Sequence, residues 1–158
     1  MVAVPPTPNR AFSVTLLVAL LASITMLGAA LAHAFELAHK IDLPREQYFV
    51  VQQIYRGWDK FAAVVLLLQI IALVSAAFLA RRDRQLIVPI LLAMLCIAAS
   101  QVLFWTYTFP ANRATSNWAV QPDNWETLRL HWEYSHLASA GLQFVAVTCL
   151  IIAALRRR

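Results

Sequence analysis

The 158-residue chain is 61% hydrophobic against 13% charged, with a mean hydropathy of +0.64, a composition that excludes an ordinary soluble domain. Its net charge of +5 and pI near 9.8 would suit a nucleic-acid binder if the basic residues were clustered on a soluble face, but they are distributed around four apolar runs. Both point to an integral membrane protein whose first partner is the lipid bilayer, and a nucleic-acid partner is not needed to explain the charge.

In chain order, residues 1–10 hold Pro5, Pro6 and Pro8, a lead that cannot be helical throughout. The first apolar run, about 12–33, ends in Ala30-Leu31-Ala32 but is longer than the apolar region of a signal peptide, so it is read as a retained span. No Gly or Pro interrupts the chain from His33 to Lys40, which predicts that this helix continues past the hydrocarbon and lifts Glu36 and His39 above it. Asp42 before Leu43-Pro44 reads as a helix cap. Arg45 to Arg56 reads as a short amphipathic helix with Phe49, Val50 and Ile54 facing down, ended by Gly57.

The second and third spans, about 61–80 and 86–109, are joined by Arg81-Arg82-Asp83-Arg84 and form an antiparallel pair. Pro89 is placed in the first turn of the third span, and Pro110 is expected to end it. Residues 110–135 form a second loop segment on the same side as 34–60, before the fourth span at about 136–155. Each run is close to the ~20 residues that cross the hydrocarbon. Cys96 and Cys149 both lie inside apolar runs and read as packing residues.

The predicted fold is therefore all-α: one integral membrane domain over 1–158, a four-helix transmembrane bundle with a short extracytoplasmic helix and loop cap. Seven basic residues (Arg10, Arg81, Arg82, Arg84, Arg156, Arg157, Arg158) against Asp83 give one side a net +6, and six against seven acids give the other −1. By the positive-inside rule both termini are cytoplasmic, in the bacterial inner membrane. All five Trp and all four Tyr fall on the opposite side, where a two-sided interfacial belt would divide them.

Candidate chemistry gathers at that side. Glu36-x-x-His39, with His33 three residues earlier, and Glu133-x-x-His136 each place a carboxylate and an imidazole on one helix face, and the topology lets the two clusters meet. Two such pairs are half of a di-iron carboxylate site, but the other two helices offer only Asp59. His33, Glu36, His39, Glu133 and His136 can alternatively hold a single Zn or Fe ion. They can also work without any metal, as a His base oriented by a Glu. A third reading is an ion-pair network of Glu36 and Glu133 with Arg129 and Arg113. Gln69, Gln101 and Gln143, on three spans, sit roughly 10–13 Å below their span ends, with Thr25 level with them. They form either the polar floor of a pocket or interhelical glue.

Three stretches, HAFELAHKIDLPREQYFVVQQIYRGW at 33–58, FPANRATSNW at 109–118 and WETLRLHWEYSH at 125–136, together resemble the anthrone-oxygenase-like family of small four-span membrane proteins. Asn112, Trp125, Arg129, Trp132-Glu133 and His136 carry the most specific part of that resemblance. It implies oxidation of a hydrophobic aromatic or quinone-like molecule by O2, without flavin or haem. In that chemistry His136 would be the base and Glu133 its orienter. Asn112 and Arg129 would donate to the developing oxyanion, with Trp118, Trp125 and Trp132 as walls for a flat substrate. The rival expectation is a membrane protein that binds a small molecule, or supports a partner, without catalysis.

Overall fold

A computed structural model describes residues 10–157; the proline-rich lead and Arg158 lie outside the described residues. The elements are α1 (Arg10–Lys40), α2 (Arg45–Gln52) running into a single 3-10 turn (Gln53–Tyr55), α3 (Trp58–Ala80), α4 (Arg84–Leu103), a π-helical turn (Phe104–Thr108), α5 (Phe109–Ala114) and α6 (Trp125–Arg156). Four helical stretches, Arg10–Lys40, Trp58–Ala80, Arg84–Ala114 and Trp125–Arg156, are long and apolar enough to cross a membrane. The all-α bundle expected from the four runs is the observed fold, and the described residues contain no strand.

The helices outrun their apolar runs at the cap end. α1 continues to Lys40 as expected, and α6 begins eleven residues before His136, so much of the cap is membrane helix prolonged beyond the span. Pro110 does not end the third span. It is preceded by the π turn, and helix continues to Ala114. Proline has no N–H to give and its ring collides with the carbonyl one turn back, whereas the wider turn takes up the displaced backbone without breaking the helix. Pro89 sits in the second turn of α4, not the first, and Asp83 caps that helix by accepting the Gln85 backbone N–H at 2.9 Å.

Asp42 caps nothing. α2 starts at Arg45, behind Pro44, with no side-chain cap. Phe49 faces inward as expected, but Val50 and Ile54 are exposed, and the buried positions beside Phe49 are Tyr48 and Gln52. Gly57 ends this segment with φ +89°, a left-handed conformation that a Cβ would strain.

Two cores separate along the bundle axis. At the Arg-rich end Leu16, Leu73, Ile90, Ile97 and Leu150 pack with Ala19, Ala76, Ala93, Ala146 and Ala153. Lipid tails are as apolar as these side chains, so association here comes from close approach and dispersion, which small alanines permit. At the cap end Tyr48, Phe49, Ala111, Trp118, Leu128 and Trp132 form an aromatic core. The space between the two is not filled.

Candidate functional site

That space is a cavity of about 200 Å³ beneath the cap. An engineered apolar cavity of ~150 Å³ already accepts benzene, so the space suits a small or partly inserted ring system. His33 on α1, His136, Ser139 and Gln143 on α6, Gln101 on α4 and Asn112 on α5 line it, with Tyr55, Trp118 and Trp132 under the cap.

The two predicted histidine clusters do meet. His33 and His136 approach with ring centroids 4.4 Å apart, edge to face, and His33 lies against Tyr55 at 4.5 Å and Trp132 at 4.9 Å. His136 stacks on Trp132 at 4.0 Å. Its Nδ1 lies 2.8 Å from the Trp132 carbonyl, which can only accept, so Nδ1 carries the proton. The lone pair is then on Nε2, which has no hydrogen-bond partner among the described residues. His33 Nδ1 is buried without a partner as well.

Asn112 is oriented by two donors. Trp132 Nε1 and Trp118 Nε1 donate to its Oδ1 at 2.9 and 3.1 Å, and an indole N–H cannot bond to an amide nitrogen, so the flip is settled and Nδ2 is left to donate elsewhere. Loop geometry holds Trp118 there. Ser116, Asn117 and Trp118 all have positive φ, a costly run for non-glycine residues, and Thr115 Oγ1 and Gln53 Nε2 anchor the Trp118 backbone at 3.0 and 2.6 Å.

Glu133 stands apart from His136. It is 1% exposed, and its Oε1 accepts from Tyr48 Oη at 2.8 Å and pairs with Lys40 Nζ at 3.2 Å. The orienter of His136 is therefore the Trp132 carbonyl, not Glu133 as expected. Burial, with the Glu133 charge next, pushes the Tyr48 phenol well above its usual range, so it stays a donor. Gln52 donates to Tyr48 Oη in turn.

Lys40 is the residue that sequence reasoning missed. It is 3% exposed, pairs with Glu36 at 3.4 Å, donates to Tyr55 Oη at 3.2 Å, and lies 4.5 Å from the Trp132 ring centroid and 4.7 Å from that of Tyr55. Tyr55 Oη also donates to Glu36. A signal was present, since Lys40 follows Glu36 by four and His33 by seven on one helical stripe, and Tyr48 and Gln52 share the same four-residue spacing.

Lys40 also decides the metal and ion-pair readings. Among the described residues no three His, Cys, Asp or Glu side chains gather as a ligand set. An ammonium stands between the two carboxylates, and His39 is exposed at a separate depression with Phe35 and Ile54, so His33, Glu36, His39, Glu133 and His136 do not fit one Zn or Fe ion. The expected network pairs Glu36 and Glu133 with Lys40, not with Arg129 and Arg113. Arg129 instead donates to the Leu43 carbonyl at 3.0 Å and stacks on Trp125 at 4.5 Å, outside the cavity lining. Trp125 packs in the cap beside Tyr48 and Phe49 and does not line the cavity either.

The glutamine layer divides. Gln143 and Gln101 line the cavity, and Gln143 Nε2 donates to Ser100 at 3.3 Å with its Oε1 unpartnered. Gln69 is buried elsewhere and donates to Ser23 at 2.9 Å, tying α3 to α1. Gln69 is glue, Gln101 is floor, and Gln143, bonded from α6 to Ser100 on α4, is both. No family model, curated protein or solved structure matches the chain.

Proposed function

We propose that this integral membrane protein binds a flat, hydrophobic aromatic or quinone-like molecule in the cavity beneath its cap and oxidises it with O2. This is the reaction that the anthrone-oxygenase-like resemblance implies. The protein sits in the bacterial inner membrane with both termini cytoplasmic and the cap outside. One observation carries the reading: the unfilled space between the two cores is lined by both His136, whose Nε2 has no hydrogen-bond partner among the described residues, and Asn112, whose Nδ2 is left free to donate.

In an anthrone-type substrate the methylene C–H opposite the carbonyl is acidic because the resulting anion is an aromatic oxyanion. His136 Nε2 takes that proton while Asn112 Nδ2 donates to the oxyanion. The electron-rich carbon transfers electrons to O2 and forms a C–O bond. The protonated hydroperoxide then loses water as the second C–H proton leaves, giving the quinone carbonyl. Overall one anthrone and one O2 yield one anthraquinone and one water.

The test pairs an oxygen electrode and product assay on an anthrone with thermal unfolding in detergent. His136→Gln keeps a hydrogen bond but loses the basic imidazole, and turnover falls at least about 100-fold with the melting temperature little changed. Full turnover in well-folded His136→Gln removes the base from the scheme. A second reading, a binder without catalysis, is favoured by the commitment of Glu133 to Tyr48 and Lys40, which leaves His136 without a carboxylate. Saturable binding with no oxygen uptake in the wild type decides for it.

A further inference from the structure

The cavity's lining includes side chains that are themselves exposed, and their depth says where it opens. Thr25 lines the cavity, is exposed, and lies eight residues down α1 from His33, about 12 Å into the span. Phe61, three residues into α3, lines it too and is 66% exposed. At the depth of Thr25, exposure is exposure to acyl chains, whereas Phe61 lies only about 4.5 Å below Trp58, near the top of the span. The Thr25 hydroxyl is spent on the Leu21 carbonyl at 2.9 Å, so this lip presents no free donor to lipid.

The upper lip differs. Arg56, Asp59 and Asn117, all exposed lining residues, sit around Gly57 and the half-exposed Trp58, at the level where Trp marks a headgroup boundary. Directly above the cavity, Tyr48, Phe49, Trp118 and Trp132 are packed and buried, and Gln53 and Arg45 bind the backbone of the Trp118–Pro122 loop across that roof.

We propose that the cavity is loaded sideways from the bilayer, through a mouth whose lower lip is Thr25 and whose upper lip is Arg56, Asp59 and Asn117, with Phe61 just below that upper lip. The ligand class that fits such a mouth is a lipid-dissolved amphiphile, an apolar body with one polar end. The body slides in at acyl-chain level while the polar end stays at the headgroups until it reaches Asn112 and His136. This rests on reading the cavity as a ligand site, but not on catalysis.

Thiol labelling in lipid nanodiscs tests it without any turnover. In a Cys96→Ser/Cys149→Ser protein, a cysteine is placed in the cavity by Ser139→Cys, and in a separate variant by Gln101→Cys, each kept only if its melting temperature matches the parent. Pyrene maleimide, which dissolves in the bilayer, is expected to label both. A permanently charged methanethiosulfonate is expected to label at least roughly tenfold more slowly, because a charge is expensive in hydrocarbon. Adding Ala62→Trp at the mouth should slow the pyrene reagent. Equal or faster labelling by the charged reagent would place the opening on the aqueous side, and no labelling by either would close it; both overturn the proposal. Loss of anthrone oxidation with lipid-side labelling intact overturns only the catalytic reading.

Discussion

At the scale of single residues, Lys40 is the one whose loss should matter most to stability. It balances two carboxylates from a site that is nearly inaccessible, so Lys40→Met leaves the buried Glu133 carboxyl without its cation and with only Tyr48 for company. Breaking a buried pair on one side costs about 3–5 kcal/mol, whereas replacing both partners is often nearly neutral. Lys40→Met should therefore lower the melting temperature sharply in detergent, and Lys40→Met/Glu133→Gln should recover much of it. Equal destabilisation in the single and double variants would mean that the pair is not coupled. The sequence placed His33 and His136 together, because matched span ends fix depth. It did not assign Glu133 to Lys40, because a lysine at the end of a membrane helix ordinarily snorkels to water, and only the packing of Tyr55 and Trp132 over this one keeps it inside.

Elements were legible where periodicity and length decide, and misread where a local signal competes with packing. The four spans, the continuation of α1 and the Gly57 break all follow from apolar length, the absence of Gly or Pro, and the one glycine in the 34–60 segment. Pro110 was misread because a proline stop signal is indistinguishable in sequence from a proline absorbed by a π turn. The consequence is functional, for the continued helix carries Asn112 to the indoles of Trp118 and Trp132. Val50 and Ile54 were misread because the sequence cannot say whether a cap helix turns its apolar face to the bundle or to lipid. Gly57 supplies the element-scale prediction. A Cβ there meets nothing within 4 Å, so Gly57→Ala costs only the left-handed backbone, about 1–2 kcal/mol. A modest drop in melting temperature with the α2–α3 connection intact is expected, and an unchanged or raised one would mean that φ is not held positive.

For the whole molecule, the division into a small-residue core, a cavity and an aromatic cap was only partly visible beforehand. Composition announced a bundle, and the one-sided aromatics announced something at one end. Whether Gln69, Gln101 and Gln143 enclose a pocket or join helices depends on rotation about each axis, which apolar spans with residues exposed to lipid on one face and buried on the other do not advertise. The proposed orientation rests on the +6 and −1 charge division. In intact cells a membrane-impermeant thiol reagent should modify a cysteine at Ala119→Cys and spare one at Gln85→Cys; the reverse pattern would put cap and cavity on the cytoplasmic side. The most direct measurement of the central claim, that the space between the cores is a ligand site, is equilibrium binding of a flat polycyclic ketone to the protein in nanodiscs. Quenching of tryptophan fluorescence should saturate in the wild type and weaken by at least roughly tenfold when Ser139→Phe fills the cavity, as expected if overpacking excludes the ligand. Unaltered saturable binding in a well-folded Ser139→Phe protein, or no saturable binding in the wild type, would contradict it.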